Sequence, residues 1–167
     1  MEYSYLNKKV NSFWVTGFVD GEGCFSVSFN LKQSLILGVE VRPSFSISQS
    51  RDKEGLNFNS LKSIQEFFCC CSIKHSKHDN VWVYECRSLE DIRLKIIPHF
   101  LEYPLQTRKI VDFSLFKEVV GLVAAKQHLN ELGLALIIEK SYAMNVSGKR
   151  KFQKEQLISK IIRKKIL

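Results

Sequence analysis

The sequence predicts an α+β domain in which a four-stranded antiparallel sheet carries its helices on one face. Three observations predict it. Four runs alternate apolar and polar residues, at 24–32, 35–49, 72–76 and 81–87, which is the period of a half-buried strand. The stretches between and after them repeat apolar residues at three and four, the period of an amphipathic helix. The resulting order is helix, two strands, helix, two strands, then helices. Strands arriving in consecutive pairs form hairpins rather than the crossovers of a parallel sheet.

Each element has a local reason. Residues 1–9 read as a polar lead-in. A helix over about 11–20 carries Phe13, Trp14, Val15, Phe18 and Val19. In the first strand Phe25, Val27, Phe29 and Leu31 face one way, and Cys24, Ser26, Ser28, Asn30 and Lys32 the other. The second strand places Val39, Val41, Phe45 and Ile47 against Glu40, Arg42, Ser44, Ser46 and Ser48, with Pro43 weakening or bulging it. Leu56, Leu61, Ile64, Phe67 and Phe68 mark a helix over roughly 54–69. His78, Asp79 and Asn80 supply the turn of the second hairpin. Ser88 followed by Glu90 and Asp91 opens a helix that kinks or ends near Pro98. Further helices are read over about 107–125 and 130–144. Ser147-Gly148 then divides a main domain, 1–148, from a basic tail, 149–167, which is itself read as a final amphipathic helix.

Composition narrows the class. With 45% hydrophobic residues in 167, the chain can bury one core and is not of disordered type. The net charge is +8, which points to a polyanionic partner. The tail alone holds eight Lys or Arg against one Glu, hence +7 of that +8. Five cysteines, at 24, 69, 70, 71 and 86, include no CxxC pair. This spacing suits reduced thiols rather than a disulfide framework. Nor does it suit zinc, even with His75 and His78 nearby, because adjacent cysteines on an extended chain diverge. No apolar run approaches the roughly 18 residues of a membrane span, no signal peptide is read at the start, and no membrane partner is expected.

The run 15–23, VTGFVDGEG, is the chemical centre of the sequence. Gly17 and Gly21, four apart, share one helical face and let another backbone approach closely. Glu22 falls at the end of that helix, where the helix dipole disfavours an anion. A carboxylate there is best explained by a cation, the alternative being a solvated turn that Asp20 and Glu22 decorate with glycines around them. The polar face of the predicted sheet gathers Ser26, Ser28, Asn30, Lys32, Arg42, Ser44, Ser46, Lys74, Ser76 and Arg87. Small polar and cationic side chains on a ribbon suit a DNA groove, although such a face also simply meets water.

These residues resemble the LAGLIDADG homing endonucleases. Gly17, Asp20 and Gly23 match the family's name-giving motif, Glu22 occupies its catalytic acid position, and Thr16 departs from its usual alanine. FSISQ at 45–49 resembles the strand end that carries a glutamine near the metal, and YPLQTRKIVDF at 103–113 resembles the family's YPL-x-T-x-K-x-x-D-F segment. LFKEVVGLVAAKQHL and LGLALIIEKSYAMN continue the pattern of single-chain fungal members.

The resemblance implies an αββαββα fold with a saddle-shaped sheet on double-stranded DNA. It implies Glu22, Gln49 and Lys109 as catalytic residues, with Arg108 an alternative to Lys109. Glu22 and the Gly21 carbonyl would hold Mg²⁺, with Mn²⁺ able to substitute. Phe13, Gly17, Phe18, Asp20 and Gly21 would form the seam of a homodimer, although Asp20 is also read as a capping or orienting residue. Two Glu22 carboxylates brought to about 4–5 Å would repel by roughly 3–4 kcal/mol at an effective dielectric near 20, so the pair requires the cation. One motif per chain implies a (pseudo)palindromic target, the alternative being an isolated half, natural or engineered, because 103–145 resembles the family's two-repeat chains more than its homodimers. An intron-RNA-binding maturase of the same fold, drawing on the basic tail, is the competing reading, and a regulator with a dead site a third. By the same resemblance the compartment is a mitochondrion or chloroplast, and the gene intron-encoded.

Overall fold

The computed structural model describes residues 10–146 and 148–163 of the chain. The predicted lead-in arm, Ser147 and the last four residues lie outside the described residues. The elements run α1 (Ser12–Glu22), β1 (Gly23–Leu31), β2 (Val39–Ser50), α2 (Leu56–Phe68), β3 (Ser72–Ser76) and β4 (Val81–Cys86). There follow α3 (Leu89–Asp91), a π-helical turn (Ile92–Ile96), α4 (Ile97–Glu102), α5 (Lys109–Ala124), a 3₁₀ turn (Gln127–Leu129), α6 (Glu131–Ala143) and α7 (Lys154–Arg163). The strands form one sheet in the order β1-β2-β4-β3, the α+β architecture that the alternating runs predict.

The backbone divides into two compact units, one from Met1–Cys24 with Phe45–Lys109, the other from Phe25–Ser44 with Ile110–Leu167. In the first, β2, β4 and β3 pair antiparallel, with Ile47 opposite Tyr84 and Ile73 opposite the same tyrosine from the far side. Phe45, fully buried, packs edge-on to Tyr84, Phe68 and Phe100 at 5.9–6.2 Å. Edge-to-face contacts of this kind add to the roughly 1.5–3 kcal/mol that burial of each such side chain contributes. In the second, Phe25 of β1 lies 5.2 Å from Phe113 and 5.4 Å from Phe116 of α5.

Two expectations are narrowed and a third is corrected. Pro98 does not end its helix. It stands in the first turn of α4, and the helical path continues to Glu102 through the π turn just before it. Proline has no N–H to donate to the carbonyl four residues back, and a widened turn accommodates the mismatch. The basic tail contains a helix, α7, and its side chains pack within the chain. Leu157 and Ile161 of α7 are buried, Lys154 pairs with Glu139 at 2.6 Å, and Tyr142 Oη donates to Phe152 O at 2.6 Å. The Arg150 guanidinium donates to the carbonyls of Val27 (3.1 Å), Met144 (2.8 Å) and Ser141 while lying over the Tyr142 ring. These carbonyls, left open at a helix end and a strand, are what a guanidinium fork satisfies best. Finally, the cysteines are not all reduced: Cys71 and Cys86 form a disulfide, because antiparallel pairing of β3 with β4 sets their positions opposite one another.

Candidate active site and nucleic-acid interface

Helix α1 begins at Asn11, whose side chain accepts from Trp14 N, and it reaches Glu22, two residues beyond the predicted end. It stops there because Gly23 turns into β1 directly. A Cβ at Gly23 would lie 2.5 Å from Val19 Cγ1 and 2.8 Å from Val19 O, so only glycine permits so abrupt a junction. Glu22 is thereby left exposed at the last helical position.

Val15 and Val19 bury α1 on one side. Thr16 is buried too, and here the departure from alanine has a use. Its hydroxyl donates to Tyr103 O at 3.1 Å and lies 3.2 Å from His99 Nε2. Burial pushes the His99 imidazole down to about 4, against a small opposing pull from Glu102. On the opposite side Phe13 is 74% exposed and Trp14 39%, and a Cβ placed at Gly17 or Gly21 would meet nothing within 4 Å. Among the described residues, no contact requires glycine at either position.

Lys109 lies at the end of α1. Its ammonium donates to Val19 O at 2.9 Å, Gly21 O at 3.4 Å and Gly23 O, where the helix dipole is negative and favours a cation. Asp20 fixes the lysine's location. Its carboxylate accepts from Gln106 N (2.6 Å), Thr107 N (3.2 Å) and Thr107 Oγ1 (2.7 Å), and Thr107 Oγ1 in turn accepts from Lys109 N. Partial burial works to raise the Asp20 pKa. The bonds from Gln106 and Thr107 and the charge of Lys109 outweigh it and hold the carboxyl below its usual range. Asp20 is thus hydrogen-bonded within its own chain, in keeping with the capping or orienting role.

The remaining predicted residues sort by strand. On β1 and β2, Ser26 donates to Ser44 O, Ser28 to Arg42 O, and Asn30 to Glu40, which also pairs with Lys32 at 3.4 Å. The bonds from Asn30, opposed by slight desolvation and aided by Lys32, lower the Glu40 pKa. Ser44 departs from expectation: it is only 7% exposed, because the strand's alternation fails at Pro43, Ser44 and Phe45, all buried. On β3 and β4, Glu85 takes Arg87 at 2.8 Å and Lys74 at 4.0 Å, while Ser76 donates to Asp79. Ser46 is half-exposed opposite Glu85. Gln49 is half-buried opposite Trp82, in phase with Ile47 rather than with the polar face. Arg108 is exposed, and Lys109, not Arg108, lies on α1.

Sequence reasoning missed four contributors. Thr107 ties Asp20 to Lys109, and its signal was the T-x-K spacing. Asp112 accepts from Asn145 N, and Asn145 Nδ2 donates to Phe25 O at 2.7 Å. These join two segments that the sequence shows only as separate strings. Arg150 was hidden among the tail's other cations.

By fold and by this helix-end arrangement the protein is of homing-endonuclease type. A LAGLIDADG endonuclease family model matches residues 15–120, and the chain belongs to that family. It is 37% identical over 127 residues to a probable intron-encoded endonuclease 2 of Neurospora crassa, covering 75% of this chain and 25% of that protein. It is 28% identical to the homing endonuclease I-ApeII of Aeropyrum pernix, covering 89% of this chain and 88% of that one. Among solved structures it is similar to the homing endonuclease I-TnaI (TM-score 0.79, 29% identity, 94% and 99% covered). It is likewise similar to the archaeal I-Vdi141I complexed with DNA (TM-score 0.84, 25% identity, 93% and 97% covered). The chain spans about a quarter of the length of several fungal intron-encoded relatives it matches.

Proposed function

We propose that the chain is a site-specific double-strand DNA endonuclease that works as a homodimer on a (pseudo)palindromic target. The observation that carries this reading is the end of α1. An exposed Glu22 sits beside an exposed seam of Phe13, Gly17 and Gly21, and no described residue fills the space at the two glycines. A second α1 laid along that seam brings two Glu22 carboxylates together, one for each strand of a duplex. Phe18, half-buried against Trp14, borders the same seam.

The donors offered are a carboxylate and the Gly21 carbonyl, hard oxygens of the kind that Mg²⁺ takes and Mn²⁺ tolerates. A divalent ion bound there would activate water and offset charge on the phosphate and leaving oxygen. Around it, Lys109 holds positive charge near the developing negative charge, and Gln49 orients water from the adjoining strand end. Lys32, Lys74 and Arg87 exchange their carboxylate partners for phosphates or base edges, Arg42 adds a further cation, and Ser26, Ser28, Asn30, Ser46 and Ser76 read or hydrate the groove. An organellar location and an intron-encoded gene follow by analogy with relatives named for introns. Arg150 and Lys154 are engaged within the chain, which takes two of the tail's eight cations from the competing maturase reading.

The test is selection of cleaved sites from a randomised palindromic library with Mg²⁺, beside Glu22→Gln. Cutting that disappears in Glu22→Gln supports the reading. Site-specific binding in Ca²⁺ with no cutting in Mg²⁺ replaces it with a binding protein.

A further inference from the structure

The turn after α2, the end of β4 and the start of α3 bring together ligands that the nuclease chemistry does not use. Neighbouring side chains on an extended chain point apart. Here Cys69 (φ 49°) and Cys71 (φ 69°) both adopt left-handed backbone, a conformation that costs of order 1 kcal/mol or more at each non-glycine residue. The reversal carries Cys70 Sγ to 3.2 Å from Cys71 Sγ. Strand pairing delivers Cys86, with its Cα 4.8 Å from that of Cys71. Asp91 arrives from the first turn of α3, where Ser88 caps its N–H. One ligand atom from each of Cys70, Cys71, Cys86 and Asp91 lies within 4.8 Å of the others, and all four residues are buried or half-buried. His75 and His78 take no part: one stacks on Trp82 and the other pairs with Asp79.

We propose that, when the Cys71–Cys86 disulfide is reduced, these four residues form a closed site for a thiophilic divalent ion, Zn²⁺ being the natural occupant. Ligand number and type carry the argument. With Zn–S near 2.3 Å and Zn–O near 2.1 Å, tetrahedral ligand atoms stand roughly 3.5–3.8 Å apart, so small side-chain rotations close the observed spread. Three sulfurs and one carboxylate complete a four-coordinate shell and select against Mg²⁺ and Ca²⁺. Lys95, 2.8 Å from Asp91, offsets part of the negative charge that three thiolates and a carboxylate leave after an ion of charge two.

The two states exclude one another. A dithiol or phosphine reductant supplies two electrons, and with two protons the disulfide becomes two thiols. Ion binding then releases the three thiol protons to solvent. Reoxidation to Cys71–Cys86 leaves one thiol and one carboxylate, too few donors to retain the ion. The ion would pin α2, β4 and α3 together in the reduced protein as the disulfide joins two of these points in the oxidised one.

The test is a Co²⁺ titration of the full chain, reduced with a phosphine and held without oxygen. The expected result is one Co²⁺ per chain, with a thiolate-to-cobalt charge-transfer band and tetrahedral ligand-field bands that one equivalent of Zn²⁺ abolishes. Cys70→Ser and Asp91→Asn, both at half-exposed positions, should each alter or lose these bands while circular dichroism stays native. Cys24→Ser, outside the cluster, should leave them unchanged. Absence of the bands in the reduced protein overturns the proposal. So do bands that persist unaltered in both Cys70→Ser and Asp91→Asn, or that form equally well in the oxidised protein.

Discussion

The ammonium of Lys109 lies 2.9 Å from the carbonyl oxygen of Val19, ninety residues earlier in the chain. It occupies the negative end of α1 that Glu22, by its own charge, leaves unfavourable. Asp20 and Thr107 hold the segment that delivers it. The lysine therefore serves the helix end in the free chain as well as the phosphate in the proposed reaction.

Replacement of Lys109 should show both roles. Lys109→Met leaves the α1 carbonyls without their charged donor and is expected to lower stability by about 2 kcal/mol, read as a shift of the urea midpoint at unchanged slope. Cleavage at the selected site should fall far more than this accounts for. Arg108→Met, at an exposed position, should change stability by less than about 0.5 kcal/mol and leave the chemical step intact.

Asp20→Ala removes a cap made of three hydrogen bonds, and the expected loss is about 1–2 kcal/mol. The pH dependence has a definite sign. Because the folded pKa is depressed, the carboxylate contributes stability above its unfolded pKa near 4 and loses it as pH falls through the lower folded value. The difference between wild type and Asp20→Asn in urea midpoint should therefore shrink below about pH 4.

His99 acts at a different pH. Its folded pKa is depressed to about 4, so the unfolded chain takes up the proton first. Its contribution is complete above the unfolded value of about 6.5 and declines as pH falls from there toward the folded value. Wild-type stability should drop between about pH 6.5 and 5, before most carboxylates titrate, and His99→Gln should lack that drop. A flat wild-type profile across this window would contradict a neutral, buried His99.

Gly17→Leu tests the seam. Since a Cβ there meets nothing within 4 Å among the described residues, the isolated protomer should be as stable or more stable, by up to about 1 kcal/mol from helix propensity alone. Sedimentation at concentrations where wild type dimerises should find the variant monomeric. Association unchanged in Gly17→Leu would remove α1 from the dimer interface.

Arg150→Ala should detach the C-terminal segment. It removes charged hydrogen bonds to three carbonyls, about 2–3 kcal/mol together with the carbonyls left unpaired. Faster amide exchange and earlier proteolysis in α7 than in α6 are the expected readouts.

The elements themselves were legible because their signals are local. Alternation in 24–32 and 81–87, the Asp79-Asn80 turn, the Ser88 cap and the helical spacing of 56–68 depend on residues a few positions apart. The helix-end acid, the four-residue glycine spacing and most of the polar strand residues followed from the same short-range patterns. What stayed hidden needed partners far along the chain. Thr16 meets His99 and Tyr103 more than eighty residues away, and Asn145 reaches Phe25 across 120. Arg150 is indistinguishable from its neighbouring lysines until three carbonyls converge on it.

The sequence alone thus determined which segments are helix and strand, which faces are apolar, and that a carboxylate stands at a helix end among glycines. Those properties follow from backbone period and side-chain type. Tertiary structure alone decided that Asp20 turns inward while Glu22 stays exposed, that Lys109 rather than Arg108 joins α1, and that three cysteines and Asp91 share one corner. Each depends on chain segments brought together by burial of the core, and hydrogen-bond partners chosen that way leave no periodic trace in the sequence.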